Sequence, residues 1–143
     1  MTPTFFTDRD LGRLFPQMLT DEGINVARHC DYFKDNTIDP EWLEEAGQYK
    51  WFCLSRDKKI RYNPKEKEAV MRGSVGLFLL IGKNVTHKDL AINFINTYPK
   101  VLKFIERYET PFIAKIYQSN KSNPHNRVVP GTVKLWLGSN GFN

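Results

Sequence analysis

Four aspartates stand at the ends of predicted strands or at the start of a predicted helix, where their carboxylates can act together. Asp8 follows an apolar run at residues 4–7, and Asp31 and Asp57 follow a second and a third predicted strand. Asp39 is predicted to cap the helix that leads into the third strand. Two ionised carboxylates about 4 Å apart repel by about 4 kcal/mol at an effective dielectric constant of about 20. A hard divalent cation such as Mg²⁺ or Mn²⁺ would relieve this repulsion and could also bind a phosphate group.

The elements that must position these acids alternate along the chain. The predicted strands span residues 4–7, 24–30, 51–55, 75–81 and 112–117, with helical patterns between them. This alternation predicts an α/β fold, a three-layer α/β/α arrangement around a mostly parallel sheet of about five strands. The C-terminal ends of parallel strands share one edge of a sheet, and ligands bind there. The four aspartates are therefore predicted to converge.

The chain of 143 residues is predicted to form one domain, with a core over residues 3–118 and a tail over residues 119–143. In the tail, Pro130 and Gly131 separate short apolar runs, which predicts a hairpin or an extended segment. Cys30 and Cys53 lie in apolar runs and are expected to be buried free thiols. No apolar segment is long enough to cross a membrane, and no N-terminal targeting signal is present, which predicts a cytoplasmic protein.

Charge is distributed unevenly along the chain, whose formal net charge is +5. Residues 1–45 carry four basic and ten acidic side chains, and residues 46–143 carry 17 basic and six acidic ones. A basic excess is typical of proteins that bind polyanions. The acidic part would repel a polyanion unless its carboxylates hold metal cations, so the pattern favours a metal-dependent enzyme acting on phosphodiesters. A solvated charged surface is the alternative explanation.

Two known families place acids in similar positions but fit incompletely. Asp8 and Asp10 form the Asp-x-Asp of haloacid dehalogenase-type phosphatases, but Gly12 stands where Thr or Val belongs, and the later paired acids are absent. Response-regulator receivers carry an acid pair and a phosphoacceptor aspartate, which Asp8, Asp10 and Asp57 imitate. However, the fourth predicted strand is not followed by the expected Ser or Thr, and Lys115 is not followed by Pro. The receiver alternative therefore stays open as a weaker match.

A third family agrees over most of the chain. Residues 5–12, 29–33, 39–43 and 54–62 resemble the motifs of the PIN-like domain family of VapC-type toxins, with matching order and spacing over residues 4–72. Residues 111–117 resemble the last strand of that family. The departures are Thr7, where an aliphatic residue is expected before Asp8, and Ser55 in place of a more usual Thr.

The resemblance implies a PIN fold and a Mg²⁺- or Mn²⁺-dependent endoribonuclease that is restrained by an antitoxin protein. It also implies a homodimer, while a module that binds RNA or a partner without turnover remains an alternative. Carried over residue by residue, the catalytic and metal-ligating residues are Asp8, Asp39, Asp57 and Asp31, with Asp10, Glu41 and His29 as secondary candidates. The basic residues expected to bind RNA phosphates are Arg9, Lys58, Lys59 and Arg61.

Overall fold

A computed structural model describes residues 2–119 and 129–142 of the chain. Six strands form one sheet: β1 (Thr4–Thr7), β2 (Asn25–Arg28), β3 (Phe52–Ser55), β4 (Gly76–Leu80), β5 (Phe112–Tyr117) and β6 (Thr132–Leu137). The helices are α1 (Leu14–Asp21), α2 (His29–Tyr32), α3 (Asp39–Gln48), α4 (Pro64–Gly73) and α5 (His87–Arg107). Short 3₁₀ turns cover Arg9–Leu11, Lys58–Arg61 and Ser139–Phe142. None of the helices in these described ranges is long and apolar enough to cross a membrane.

The strand order is β2-β1-β3-β4-β5-β6, and all neighbours are parallel except β5 and β6. The predicted α/β class with a mostly parallel sheet is therefore confirmed. The sixth strand was not predicted as part of this sheet, because its segment was expected to form a hairpin within the tail. Instead β6 pairs antiparallel with β5, where Tyr117 faces Thr132. Val129 is not in a strand, and Val128 lies outside the described residues.

Two apolar cores lie on opposite faces of the sheet. Phe5 and Phe6 are adjacent in β1 and both fully buried, and their side chains point to opposite faces because a strand has a period of two residues. Phe5 belongs to the core formed with α1 and α5, which includes Phe15 and Phe94. Phe6 belongs to the core formed with α3 and α4, which includes Trp42. The predicted three-layer arrangement is therefore confirmed.

Helices α3 and α4 approach each other closely through two glycines. A Cβ atom on Gly47 would lie 2.8 Å from the Cα atom of Gly73, and closer still to its carbonyl oxygen. Gly47 lies within α3, which continues to Gln48, so this glycine serves close packing. Both helices start at the edge formed by the C-terminal ends of the parallel strands. Their first turns, which carry Asp39 and Glu66, are therefore neighbours.

Two other boundaries differ from the predictions. Strand β2 ends at Arg28, and the following residues form the helical turn α2, so the predicted strand through Cys30 is too long. The N-cap of α3 is Ile38, and Asp39 is already helical. Apart from these two boundaries, α5 contains Pro99 and continues through it as one helix.

Candidate active site

The site lies where the chain reverses its direction across the sheet. From β1 the chain crosses to β2 on one side, and then returns to β3 on the other side, which leaves a crevice between the ends of β1 and β3. The backbone N–H of Asp8 donates to the carbonyl of Leu54 at 3.0 Å, which holds Asp8 against the end of β3. Ser55 ends β3 and Asp57 follows it. The topology thus brings Asp8 and Asp57 together, as predicted.

The Ser55 hydroxyl connects three of the acids. It donates to Oδ2 of Asp8 at 2.9 Å and lies 3.3 Å from Oδ2 of Asp10. It also accepts a hydrogen bond from the backbone N–H of Asp57 at 3.1 Å. A hydroxyl has one proton to donate, so Asp8 and Asp10 compete for it. Ser55, at 0% exposure, is a site residue that was noted only as a departure from the family pattern.

Asp8 is the most buried of the acids, with 5% of its surface exposed. Its Oδ1 accepts a hydrogen bond from the backbone N–H of Arg9 at 2.7 Å. The pKa of Asp8 is raised to about 7, chiefly by burial and also by the charges of Asp10 and Asp39, which together outweigh the lowering effect of its hydrogen bonds. In the metal-free protein this carboxyl therefore keeps its proton to a much higher pH than an ordinary aspartate does.

Asp10 belongs to the same group of acids. Its outer side is exposed, while its carboxylate turns toward Ser55 and accepts a hydrogen bond from the backbone N–H of Arg56 at 3.1 Å. Desolvation raises the pKa of Asp10, the charge of Asp57 raises it less strongly, and the two hydrogen bonds oppose this effect. Asp10 therefore lies nearer the centre of the site than its place among the secondary candidates suggested.

A second group of acids brings together Asp39, Asp57 and Glu66, each offering an oxygen atom within 4.8 Å of the others. Asp57 is held by the backbone N–H of Lys59, which donates to its Oδ1 at 2.9 Å. Asp39 is held by the indole N–H of Trp42, which donates to its Oδ1 at 2.9 Å. Both carboxylates are thus oriented before any ligand binds.

Glu66 is the site residue that the sequence analysis missed. Its Oε2 atom is buried and accepts no hydrogen bond from any described residue. The pKa of Glu66 is raised to about 7, chiefly by burial and also by the neighbouring Asp39 carboxyl and the charge of Asp57. Two ionised carboxylates cannot hydrogen-bond to each other, so Glu66 needs either a proton shared with Asp39 or a cation.

Five carboxylates therefore face one crevice, and three observations fit a divalent cation there. The pKa values of Asp8, Asp10 and Glu66 are raised, as expected for acids that lack a compensating charge. Oε2 of Glu66 has an unused acceptor position. The donor set of Asp39, Asp57 and Glu66 consists of oxygen atoms, which Mg²⁺ and Mn²⁺ prefer.

Two predicted candidates lie away from this group. Asp31 is exposed in α2, and its Oδ2 lies 3.6 Å from Nε of Arg28 in an ion pair at the surface. It was expected at a strand end, but β2 is shorter than predicted and the helical turn points Asp31 elsewhere. Glu41 is exposed in the first turn of α3 and is absent from the acid cluster.

His29 is buried beside the crevice. Its ring packs against Phe6, Phe33 and Trp42, with centroid distances of 6.0, 5.4 and 6.3 Å. Burial and the charge of Arg9 lower the pKa of His29, so the neutral imidazole is favoured.

The same histidine lines a cleft of about 260 Å³ together with Asp8, Arg9 and Cys30. Cys30 is exposed, which corrects the expectation of a buried thiol, whereas Cys53 is buried as expected. The difference follows from the early end of β2, which places Cys30 in α2 and outside the sheet.

The basic residues expected to bind RNA differ in their surroundings. Nη2 of Arg9 lies 3.8 Å from Oδ1 of Asp39, and its Nη1 donates to the carbonyl oxygen of Asp35. Arg9 is therefore already engaged with the site. Lys59 is exposed, and the side chains of Lys58 and Arg61 lie outside what the structure describes.

Comparisons with known proteins agree with this arrangement. The family described as "PIN like domain" matches residues 3–82, more than half of the chain. A curated protein of Mycobacterium tuberculosis named "Putative ribonuclease VapC45" is 24% identical over 119 residues, which cover 80% of this chain and 86% of that protein. No solved structure matches the chain.

Proposed function

This chain belongs to the PIN-like domain family, and from that membership we propose that it is a Mg²⁺- or Mn²⁺-dependent endoribonuclease of the VapC type. The observation that carries the proposal is the group of five carboxylates at the crevice between β1 and β3. Three of them have raised pKa values, as expected of a site that is completed by a cation. The ribonuclease named among the relatives supports RNA as the substrate.

In the proposed mechanism, Asp39, Asp57 and Glu66 would hold the ion, and Asp8 and Asp10 lie beside them through their shared contacts with Ser55. When bound, such an ion lowers the pKa of water and stabilises charge on a phosphodiester. Ser55 and the backbone N–H of Lys59 orient the carboxylates beforehand, so little reorganisation is needed. Arg9, which contacts Asp39, is placed to bind a phosphate oxygen beside the acids.

An antitoxin protein is the partner that the family assignment supports. Without a cation the site holds an excess of carboxyl groups, so a basic side chain of a partner could occupy the same crevice. Such a chain would compete with both the ion and the RNA, which is a direct way to restrain a nuclease.

The receiver alternative shares the strand order 2-1-3-4-5 with this fold. It also requires a lysine from the end of β5 near the acids. Lys115 is the lysine of β5, and its Nζ lies 3.8 Å from the centre of the Trp136 ring rather than at the acid group. This contact favours the nuclease over the phosphoacceptor.

The test is RNA cleavage with Mn²⁺ or Mg²⁺ by the wild-type protein, Asp57→Asn and Asp31→Asn. We expect metal-dependent cleavage, a loss of at least about 100-fold in Asp57→Asn, and little change in Asp31→Asn. Thermal unfolding of each variant serves as the control for folding. Cleavage in excess EDTA, or equal activity of the wild-type protein and Asp57→Asn, would contradict the proposed site. Metal-independent RNA binding without cleavage by any divalent ion would instead identify a catalytically silent module.

A further inference from the structure

A second feature suited to RNA lies away from the acids, between α5 and β6. The two elements form a cleft of about 530 Å³ that we call the α5–β6 groove. Its basic lining residues are Lys100, Lys103, Arg107 and Lys134, and no acidic residue lines it among those the structure describes. The groove therefore concentrates positive charge in one concave surface.

The cations of the groove are largely available to a ligand. Lys103, Arg107 and Lys134 are exposed, and none of them forms an ion pair with an acidic residue of the described ranges. Lys100 donates to the carbonyl oxygen of Gly131 at 2.9 Å, which fixes the start of β6 beside the helix. Like charges gathered in this way repel one another, and a bound polyanion would remove that repulsion.

The geometry of the groove matches a chain of phosphates better than a single anion. Three of the cations follow one face of α5. Lys103 lies three residues after Lys100 and Arg107 lies seven residues after it, so the row extends over about 10 Å. Lys134 faces them from β6. Tyr108 closes the end of the row, where its half-buried ring packs against Phe104 with ring centres 4.4 Å apart and lies 5.4 Å from the guanidinium carbon of Arg107.

The groove is separate from the acid group. Strand β6 is four positions away from β1 in the sheet, which corresponds to about 19 Å. A ligand that reaches both must therefore be several nucleotides long. An acidic polypeptide would also complement the charge, but the row of evenly spaced cations and the proposed activity favour RNA.

We propose that the α5–β6 groove binds the phosphate backbone of single-stranded RNA, at a distance from the cleavage site. The choice of RNA rests on the proposed function, whereas the polyanion site itself rests on the groove. Bound here, an RNA substrate gains affinity from contacts that do not take part in the chemistry. Long substrates should therefore bind more tightly than oligonucleotides too short to reach the groove.

The test measures binding without cleavage. Fluorescence anisotropy would follow a labelled 30-nucleotide single-stranded RNA in EDTA, between 50 and 200 mM salt, with every protein carrying Asp57→Asn. The groove variant is Lys103→Gln/Lys134→Gln. The matched control is Lys50→Gln/Lys88→Gln, which removes two exposed lysines that do not line the groove.

We expect the groove variant to lower the slope of log K against log salt by about 1.4, because each phosphate contact to a single strand contributes about 0.7. At 0.1 M salt this corresponds to about a 25-fold loss of affinity. The control should keep most of the slope. Thermal unfolding midpoints of both variants are expected to match the parent, since all four lysines are exposed.

Equal losses in the groove variant and the control would overturn the proposal, because they would reflect net charge alone. An unchanged slope in the groove variant would overturn it as well. A parallel titration with polyglutamate tests the acidic polypeptide. If the groove variant lost affinity for polyglutamate but kept its affinity for RNA, the groove would bind an acidic polypeptide and RNA would be excluded. This test does not measure the proposed nuclease activity, because binding is followed without a metal ion and cleavage is not observed.

Discussion

Replacing Asp8 with asparagine measures the electrostatic cost of the acid group. The pKa of Asp8 is raised from 3.8 to about 7, chiefly by burial and by the charge of Asp10. This difference means that the ionised carboxylate destabilises the metal-free fold by about 4 kcal/mol. The folded protein holds this proton more tightly than the unfolded chain does. The cost is therefore absent below about pH 4, grows as the pH rises toward 7, and is constant above it.

Asparagine keeps the shape of the side chain and removes the charge. Its oxygen can still accept from the backbone N–H of Arg9, and its amide can donate to Ser55, whose proton then turns to Asp10. Loss of a charged acceptor costs about 1–2 kcal/mol at any pH. Asp8→Asn should therefore raise the free energy of unfolding at pH 8 by about 2–3 kcal/mol. At pH 5 the increase in the free energy of unfolding should be smaller, also by about 2–3 kcal/mol.

Urea unfolding followed by circular dichroism, in EDTA at pH 5 and pH 8, measures this double difference. Asp31→Asn is the control, because that carboxylate is exposed and outside the acid group. Added Mg²⁺ should stabilise the wild-type protein more than Asp8→Asn. If Asp8→Asn lowered the free energy of unfolding equally at both pH values, the carboxylate would not be destabilising and our reasoning would be wrong.

Three further substitutions test other parts of the site. Glu66→Gln should weaken Mn²⁺ binding by about 10–100-fold in calorimetric titrations, because the ion loses one charged oxygen of the cluster; unchanged affinity would remove Glu66 from the ligands. Ser55→Ala should lower the free energy of unfolding by about 1–3 kcal/mol in urea, whereas Ser55→Thr keeps the hydroxyl and should restore most of it. Gly47→Ala should destabilise the fold by about 1–3 kcal/mol in the same assay, because its methyl group meets the backbone of Gly73, and a neutral result would mean that the helices move apart freely.

Much of the fold could be predicted from local patterns. Strand β5 was predicted with its observed bounds, because a short, nearly continuous run of apolar and aromatic residues follows Pro111 and ends before the polar residues Gln118 and Ser119. The pairing of β6 could not be predicted in the same way. Whether an apolar run near the C-terminus pairs with its neighbour or with a distant strand depends on tertiary contacts, and here β5 offers an unpaired edge.

The site was predictable where a carboxylate follows a strand directly, as Asp8 and Asp57 do. Asp31 shows the limit of that rule, since a strand that ends two residues earlier than predicted moves the acid off the edge. Glu66 shows another limit, because its place after Asn63 and Pro64 indicates a capping role. Asn63 alone accepts from the N–H groups of Lys65 and Glu66, which leaves the Glu66 carboxylate free to face Asp39.

The contact between Gly47 and Gly73 has a mechanical consequence for the ion. Asp39 lies eight residues before Gly47, and Glu66 lies seven residues before Gly73. Each acid is therefore about 10–12 Å along its helix from the point where the two backbones touch. Metal coordination tolerates errors of only about 0.2 Å in ligand distance. A side chain added at either glycine would push the two helices apart and change the distance between Asp39 and Glu66. Loss of cleavage after substitution at either glycine would therefore result from displaced metal ligands and would not indicate a chemical role for the glycine itself.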